Sequence, residues 1–192
     1  VPDDFAARLA ASGAHAVFGP RTGSKTVDLQ IPPTLPPGAL ASILPLRVWR
    51  VESLRPNVTE RVDGALVDGT PFAGHARHWR DLVELRDAQR TVVRARFADD
   101  HPAWLSHGTL HYWAALFDDA TTAQLFASVA AEAGLAPTPL ADGVRISRRG
   151  GLTYVFNYGD TVHTIDAVPP AAFVVGSADV EPRGVAVYRS PV

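Results

Sequence analysis

Seven histidines, five glutamates and four tryptophans carry most of the chemistry open to this chain, because it contains no cysteine. Without thiols there is no thiolate nucleophile, no disulfide and no Cys-ligated metal. The Gly-x-Ser-x-Gly elbow of serine hydrolases is also absent. His75 and His78 lie three apart, and His107 and His111 four apart. Two imidazoles at i and i+4 on a helix can share an ion. Here the local pattern puts His107 in a turn and His111 in a strand, and no HExxH occurs. The histidines therefore read as surface or hydrogen-bonded groups, and neither a metal nor a cofactor is expected. Gly19-Pro20-Arg21-Thr22-Gly23 follows a short apolar run, where a loop could cradle phosphate. Neither GxGxxG nor GxxxxGK[ST] follows, so a plain turn is the better reading.

The tryptophans allow stacking on sugars or seating against another protein surface. Trp113 falls in an apolar run and reads as core. Trp79 and Trp104, beside Arg, His and Pro, read as partly exposed, and burial against a second domain or subunit is favoured over sugar contact. Aromatic anchors of this kind hold interface centres. Arg145, Arg148 and Arg149 read as a solvated hairpin face.

The net charge of −2 gives no electrostatic case for nucleic acid or an anionic membrane. No apolar run reaches membrane-spanning length, and the first residues lack a basic, signal-like start. One Lys stands against 17 Arg and there is no Met. The Arg bias is expected to reflect base composition of the source, and the missing Met suggests a fragment or a trimmed chain. A cytoplasmic location is expected.

The elements that must position these groups centre on 91–135. Val93, Ala95 and Phe97 alternate with Arg94 and Arg96, the period of a strand with one wet face. The run 109–116 is apolar at nearly every position, which suits a strand covered on both faces, as in a mostly parallel sheet. Asp118 or Asp119 can cap a helix whose stripe is Leu125, Phe126, Val129, Ala130 and Ala133, with Gly134 at its end. Earlier, Asp3 or Asp4 can start a helix over 5–11, with Phe5 and Leu9 inward, and 14–18 is a short strand. The proline-rich 31–38 cannot be regular. Residues 38–44 suit a short helix with Leu40, Ile43 and Leu44 inward, and 46–51 a strand. Strand signals in 58–67 are interrupted at Asp63-Gly64 and Asp68-Gly69, and 78–86 reads equally as strand or turn. After Pro139 come short strands, with Gly150-Gly151 as a hairpin turn between 143–149 and 152–158.

The ordered set FGPRTGSK, IPPTLPPG, LRVWRVESL, HWRDLVELR, GTLHYWAALFD, EAGL, DGVRISRRGGLTYVFNYGD and EPRGVAVY resembles the C-terminal part of glycoside hydrolase family 42 β-galactosidases. The resemblance covers nearly the whole chain. It implies a fold class of α/β type: an incomplete amidotransferase- or flavodoxin-like, mostly parallel sheet with helices over 1–138, its first strands missing, then a small antiparallel β domain over 139–192. It also implies that 1–138 is a trimerisation domain. Its partners would be its own catalytic barrel and identical subunits.

The same resemblance implies that this region is chemically inert. Retaining family members use two barrel glutamates, the acid/base one following an Asn. Glu52, Glu60, Glu84, Glu132 and Glu181 all lack a preceding Asn, and the amidotransferase-like fold's usual Cys is absent. No catalytic residue is therefore assigned; Trp79 and Trp104 are candidate interface residues. The expected function is assembly of a retaining β-galactosidase, with a carbohydrate-binding accessory module as the alternative. A stand-alone amidotransferase-like enzyme is made improbable by the absent Cys. The isolated chain is expected to expose apolar surface and to associate.

Overall fold

The computed structural model describes residues 4–137, 139–166 and 168–190. Asp3, one of the two candidate caps, lies outside the described residues, as does Thr138 at the expected domain boundary. The chain divides into two compact units, Val1–Pro137 and Thr138–Val192.

The first unit is built on strands. They are β1 (Ala16–Phe18), β2 (Leu46–Ser53), β3 (Thr59–Ala65), β4 (Pro71–Leu85), β5 (Val92–Phe97), β6 (Pro102–His107), β7 (Leu110–Trp113) and β8 (Ala115–Phe117), with helices α1 (Phe5–Ser12) and α2 (Asp119–Glu132). One sheet runs in the order β1-β7-β6-β5-β3-β4-β2, and β8 pairs with β4. Among the described residues only the β1–β7 pairing of this sheet is parallel.

The expected α/β fold with a mostly parallel amidotransferase- or flavodoxin-like sheet is therefore incorrect. Among the described residues the two α-helices are too few to supply crossovers between successive parallel strands. Instead β2 to β7 include hairpin-linked antiparallel neighbours. The apolar run at 109–116 is not one strand: β7 ends at Trp113 and β8 begins at Ala115 on a different partner, with Leu116 half exposed, and the burial of β7 says nothing about the direction of its neighbours. β7 takes antiparallel β6 on one side and parallel β1 on the other.

The sheet's spine is β4, whose 15 residues resolve the ambiguous 78–86 as strand. Its first half pairs with β3 and its second with β2. Between them the pairing with β8 slips, between Arg77 and Arg80, and His78 takes a φ of 64°. Such an irregularity bends a strand and re-aims its side chains. Asp63-Gly64 is no break: Gly64 sits inside β3, where a Cβ would lie 2.2 Å from the Arg94 carbonyl oxygen of β5.

α2 forms as its caps dictate. Asp118 accepts from the Thr121 amide at 2.8 Å, and Asp119 adds a carboxylate to the first turn. At the other end Gly134 is left-handed, φ 71°. Leu135 N donates to Ala130 O at 2.8 Å and Gly134 N to Ala131 O at 3.0 Å, the paired bonds of a Schellman stop. Leu125 and Val129 are buried, whereas Phe126 is half exposed and meets Trp113 edge-on, centroids 4.5 Å apart. The core around them gathers Leu40, Leu44, Val62, Trp104, Leu105 and Tyr112.

The second unit holds β9 (Val144–Arg149), β10 (Leu152–Asn157), β11 (His163–Thr164), β12 (Phe173–Val175), β13 (Asp179–Val180) and β14 (Val185–Arg189). Its main sheet runs β12-β14-β10-β9, and β11 pairs with β13. Gly150 and Gly151 both have positive φ, 59° and 74°, as a primed hairpin turn requires. Val144, Val155, Val180, Ala186 and Tyr188 form its core. The buried face of β10 is Thr153, Val155 and Asn157, while Leu152, Tyr154 and Phe156 are half-buried on the other.

Candidate functional site

The slip in β4 delivers Trp79 to the edge of a pocket of about 340 Å³ between 21–36 and the strands β2 and β4. Ile31, Pro33, Leu35, Val48 and Val51 line it beside Trp79. The indole is held from two sides. Its Nε1 donates to Asp81 Oδ1 at 3.0 Å, and the Arg21 guanidinium lies over the ring, 4.9 Å from its centroid.

Asp81 is fully buried and takes two further bonds on Oδ2, from Tyr112 Oη at 2.6 Å and Arg21 N at 3.4 Å. Burial, then the Asp81 charge, pushes the Tyr112 hydroxyl far above its ordinary value, so it stays a donor. An enclosed carboxylate with three donors is committed to holding the pocket wall. The pocket suits apolar side chains. Of its lining residues Ile31, Leu35 and Val51 are exposed.

Trp104, expected at the surface, is wholly enclosed. Its strand β6 lies inside the sheet between β5 and β7, so the neighbouring Pro102 and His101 mislead. The ring packs against Phe72, and Nε1 donates to His111 Nδ1 at 3.3 Å. It cannot serve as a contact surface in this fold.

Three carboxylates converge on Arg80. Its guanidinium bonds Glu52 at 2.6 Å, Asp99 at 2.9 Å and also Glu60. Burial raises the Glu60 carboxyl above its ordinary value despite Arg80, with the Asp99 and Glu52 charges adding to the rise. For Asp99 burial acts upward, but the bonds from Arg80 and the His101 amide prevail and lower it. These acids share the Arg80 cation, with Arg50 also 3.1 Å from Glu52, and none lines the Trp79 pocket. Glu84 pairs with Arg47, and Glu181 is exposed.

The histidine pairs do not act as pairs. His75 stands 3.8 Å from Asp118, and His107 Nδ1 meets Thr91 Oγ1 at 3.3 Å. The structure brings His111 together with two groups that sequence spacing could not flag, His15 beside β1 and Glu132 at the end of α2. The long-range β1–β7 pairing brings His15 beside His111, and the last turn of α2 brings Glu132 to both. His111 Nε2 lies 2.9 Å from Glu132 Oε2, and His15 Nδ1 3.5 Å from the same oxygen. Burial, resisted by Glu132, lowers the His111 pKa, so its ring is neutral near pH 7.

Together these features define a β-rich unit with an apolar pocket at Trp79. Residues 2–136 match the family described as the β-galactosidase trimerisation domain. The chain belongs to that family.

A β-galactosidase of Thermus thermophilus is 40% identical over 173 residues, covering 90% of this chain and 25% of its own length. The crystal structure of a β-galactosidase from the psychrophilic Marinomonas ef1 is similar with TM-score 0.80 and 29% identity, covering 100% of this chain and 28% of that one. The polyextremophilic β-galactosidase of Halorubrum lacusprofundi follows at TM-score 0.70 and 26% identity, over 100% of this chain and 30% of that one. The chain spans about a quarter of the length of the curated relatives it matches at 40% identity.

Proposed function

We propose that this chain is the non-catalytic assembly region of a retaining β-galactosidase that hydrolyses terminal β-D-galactosides. Residues 1–138 act as its trimerisation domain and 139–192 as its small C-terminal β domain. Its partners are its own catalytic barrel and two identical subunits, in the cytoplasm. The observation that carries the reading is the family match over 2–136. The Trp79 pocket, lined by exposed Ile31, Leu35 and Val51, supplies an apolar contact surface of the kind that subunits bury. Among the described residues no helix is long and apolar enough to cross a membrane.

Sedimentation velocity across a wide concentration range, paired with a chromogenic β-galactoside assay, tests this. The expected result is self-association weakened at least tenfold by Ile31→Asp, with no hydrolysis. A monomer at every concentration, or enzyme-like turnover, overturns the reading.

The alternative is a carbohydrate-binding module. It draws on the near-parallel stack of Phe156 on Tyr158 in the second unit, centroids 6.2 Å apart, with Tyr158 largely exposed. Saturable calorimetric binding of galactosides, lost in Tyr158→Ala, would favour it.

A further inference from the structure

We propose that His15, His111 and Glu132 form a binding site for a divalent transition-metal ion of the zinc class. Two imidazoles and one carboxylate are the ligand set that Zn2+ and its neighbours accept with a further position left to water. The three ligand atoms lie within 4.8 Å of one another. Two of the separations, 2.9 and 3.5 Å, are close to the edges of a coordination tetrahedron. They come from three separate parts of the first unit, so the grouping is not a by-product of one element's periodicity.

A second observation points to a ligand. His15 Nδ1 is enclosed yet has no hydrogen-bond partner. A buried polar atom without a partner is uncommon and costly. An ion between it and Glu132 would satisfy that nitrogen through its lone pair, displacing any proton it carries. Glu132 is also the last residue of α2, where the negative end of the helix dipole favours a cation. His111 is fully buried, while the His15 and Glu132 side chains are about a quarter exposed and give the ion its way in.

The proton balance limits the affinity. Without metal, His111 Nδ1 accepts from Trp104 Nε1 at 3.3 Å, so Nε2 carries the proton and donates it to Glu132. Coordination through Nε2 requires that proton to leave Nε2 and Nδ1 to become protonated. Ser106 Oγ, 3.0 Å from Nδ1, can accept the new N–H while Arg94 Nε donates to the same hydroxyl at 2.7 Å. Ligating histidines are oriented by such outer partners. The Trp104 N–H then loses its acceptor, and the Arg94 charge opposes the incoming ion. Together these should hold Zn2+ binding to the micromolar range, well short of a four-ligand structural site.

The test uses the full 192-residue chain, stripped by chelator and titrated with Zn2+ by calorimetry and with Co2+ by visible absorption. The expected result is one ion per chain, an intense tetrahedral Co2+ spectrum, and a rise in Tm on Zn2+ addition. His15→Ala and Glu132→Gln should each weaken binding at least about a hundredfold, and Ser106→Ala about tenfold. His75→Ala, remote from the trio, should leave it unchanged. Absence of saturable binding overturns the proposal, and so does a one-to-one site of unaltered affinity in both His15→Ala and Glu132→Gln.

Discussion

Tyr112 Oη donates to Asp81 Oδ2 over 2.6 Å, and neither residue has any exposed surface. One bond thereby ties β7 to β4 and fixes the carboxylate that orients Trp79. A buried charge is tolerable only while its donors are in place. Tyr112→Phe removes the shortest of them and should cost about 1.5–3 kcal/mol in urea unfolding. The wild-type protein should show an alkaline signature as well. Because the folded-state pKa of Tyr112 is raised, its contribution is complete below the ordinary tyrosine value of 10.0 and declines as pH rises beyond it. Unfolding free energies above that pH should fall less steeply in Tyr112→Phe than in wild type.

Asp118 gives the opposite sign. The Thr121 side-chain bond, ahead of the opposing effect of burial, lowers its pKa from 3.8. The cap's contribution is present above that value and is lost as pH falls through the folded-state value. Asp118→Ala should cost about 1 kcal/mol at pH 7. Asp118→Asn should retain most of the cap while flattening the acid limb, which thermal melts between neutral and strongly acidic pH will reveal.

Arg80→Met should be among the more damaging single changes in the first unit. It leaves Glu52, Glu60 and Asp99 facing one another without their shared cation. A loss of about 2–4 kcal/mol is expected at pH 7, moderated by the partial exposure of the acids. The uncompensated carboxyls would have raised pKa values, so the deficit should shrink as pH is lowered towards about 4. Chemical denaturation of both proteins across that range checks it.

Gly64→Ala tests the close approach of β3 to β5. The new methyl would meet backbone, the Arg94 oxygen at 2.2 Å and the Ala95 Cα at 2.6 Å. Neither atom can swing aside, so about 1–3 kcal/mol should be lost. Ala substitution at Gly69, whose Cβ would meet nothing within 4 Å, has no such clash and costs only the strain of its φ of 87°.

The local grammar of the chain was legible, and its global arrangement was not. The cap at Asp118, the stop at Gly134, the turn at Gly150-Gly151 and the alternation through Val93–Phe97 all act within a few residues, and each forms where the pattern predicts. Strand direction depends on partners far away in sequence, which an apolar run such as 109–116 does not encode. Gly64 misled because a glycine admits both a turn and a tight strand crossing. Trp104 misled because polar neighbours along the chain do not mean solvent across the sheet. His15 and Glu132 carried no motif at all; the pairing of β1 with β7 makes the first a neighbour of His111, and the packing of the end of α2 makes the second one.

That pairing has a consequence for how the molecule is made. Ala16 is in register with Leu110, so β1 must wait for some ninety later residues before it has anything to pair with. During synthesis the antiparallel strands from β2 to β6 can close on near neighbours first, at small entropic cost, while the leading segment stays undocked. The amino-terminal helix and strand should accordingly be the last part of this unit to gain protection in pulse-labelling experiments, even though the ribosome delivers them first.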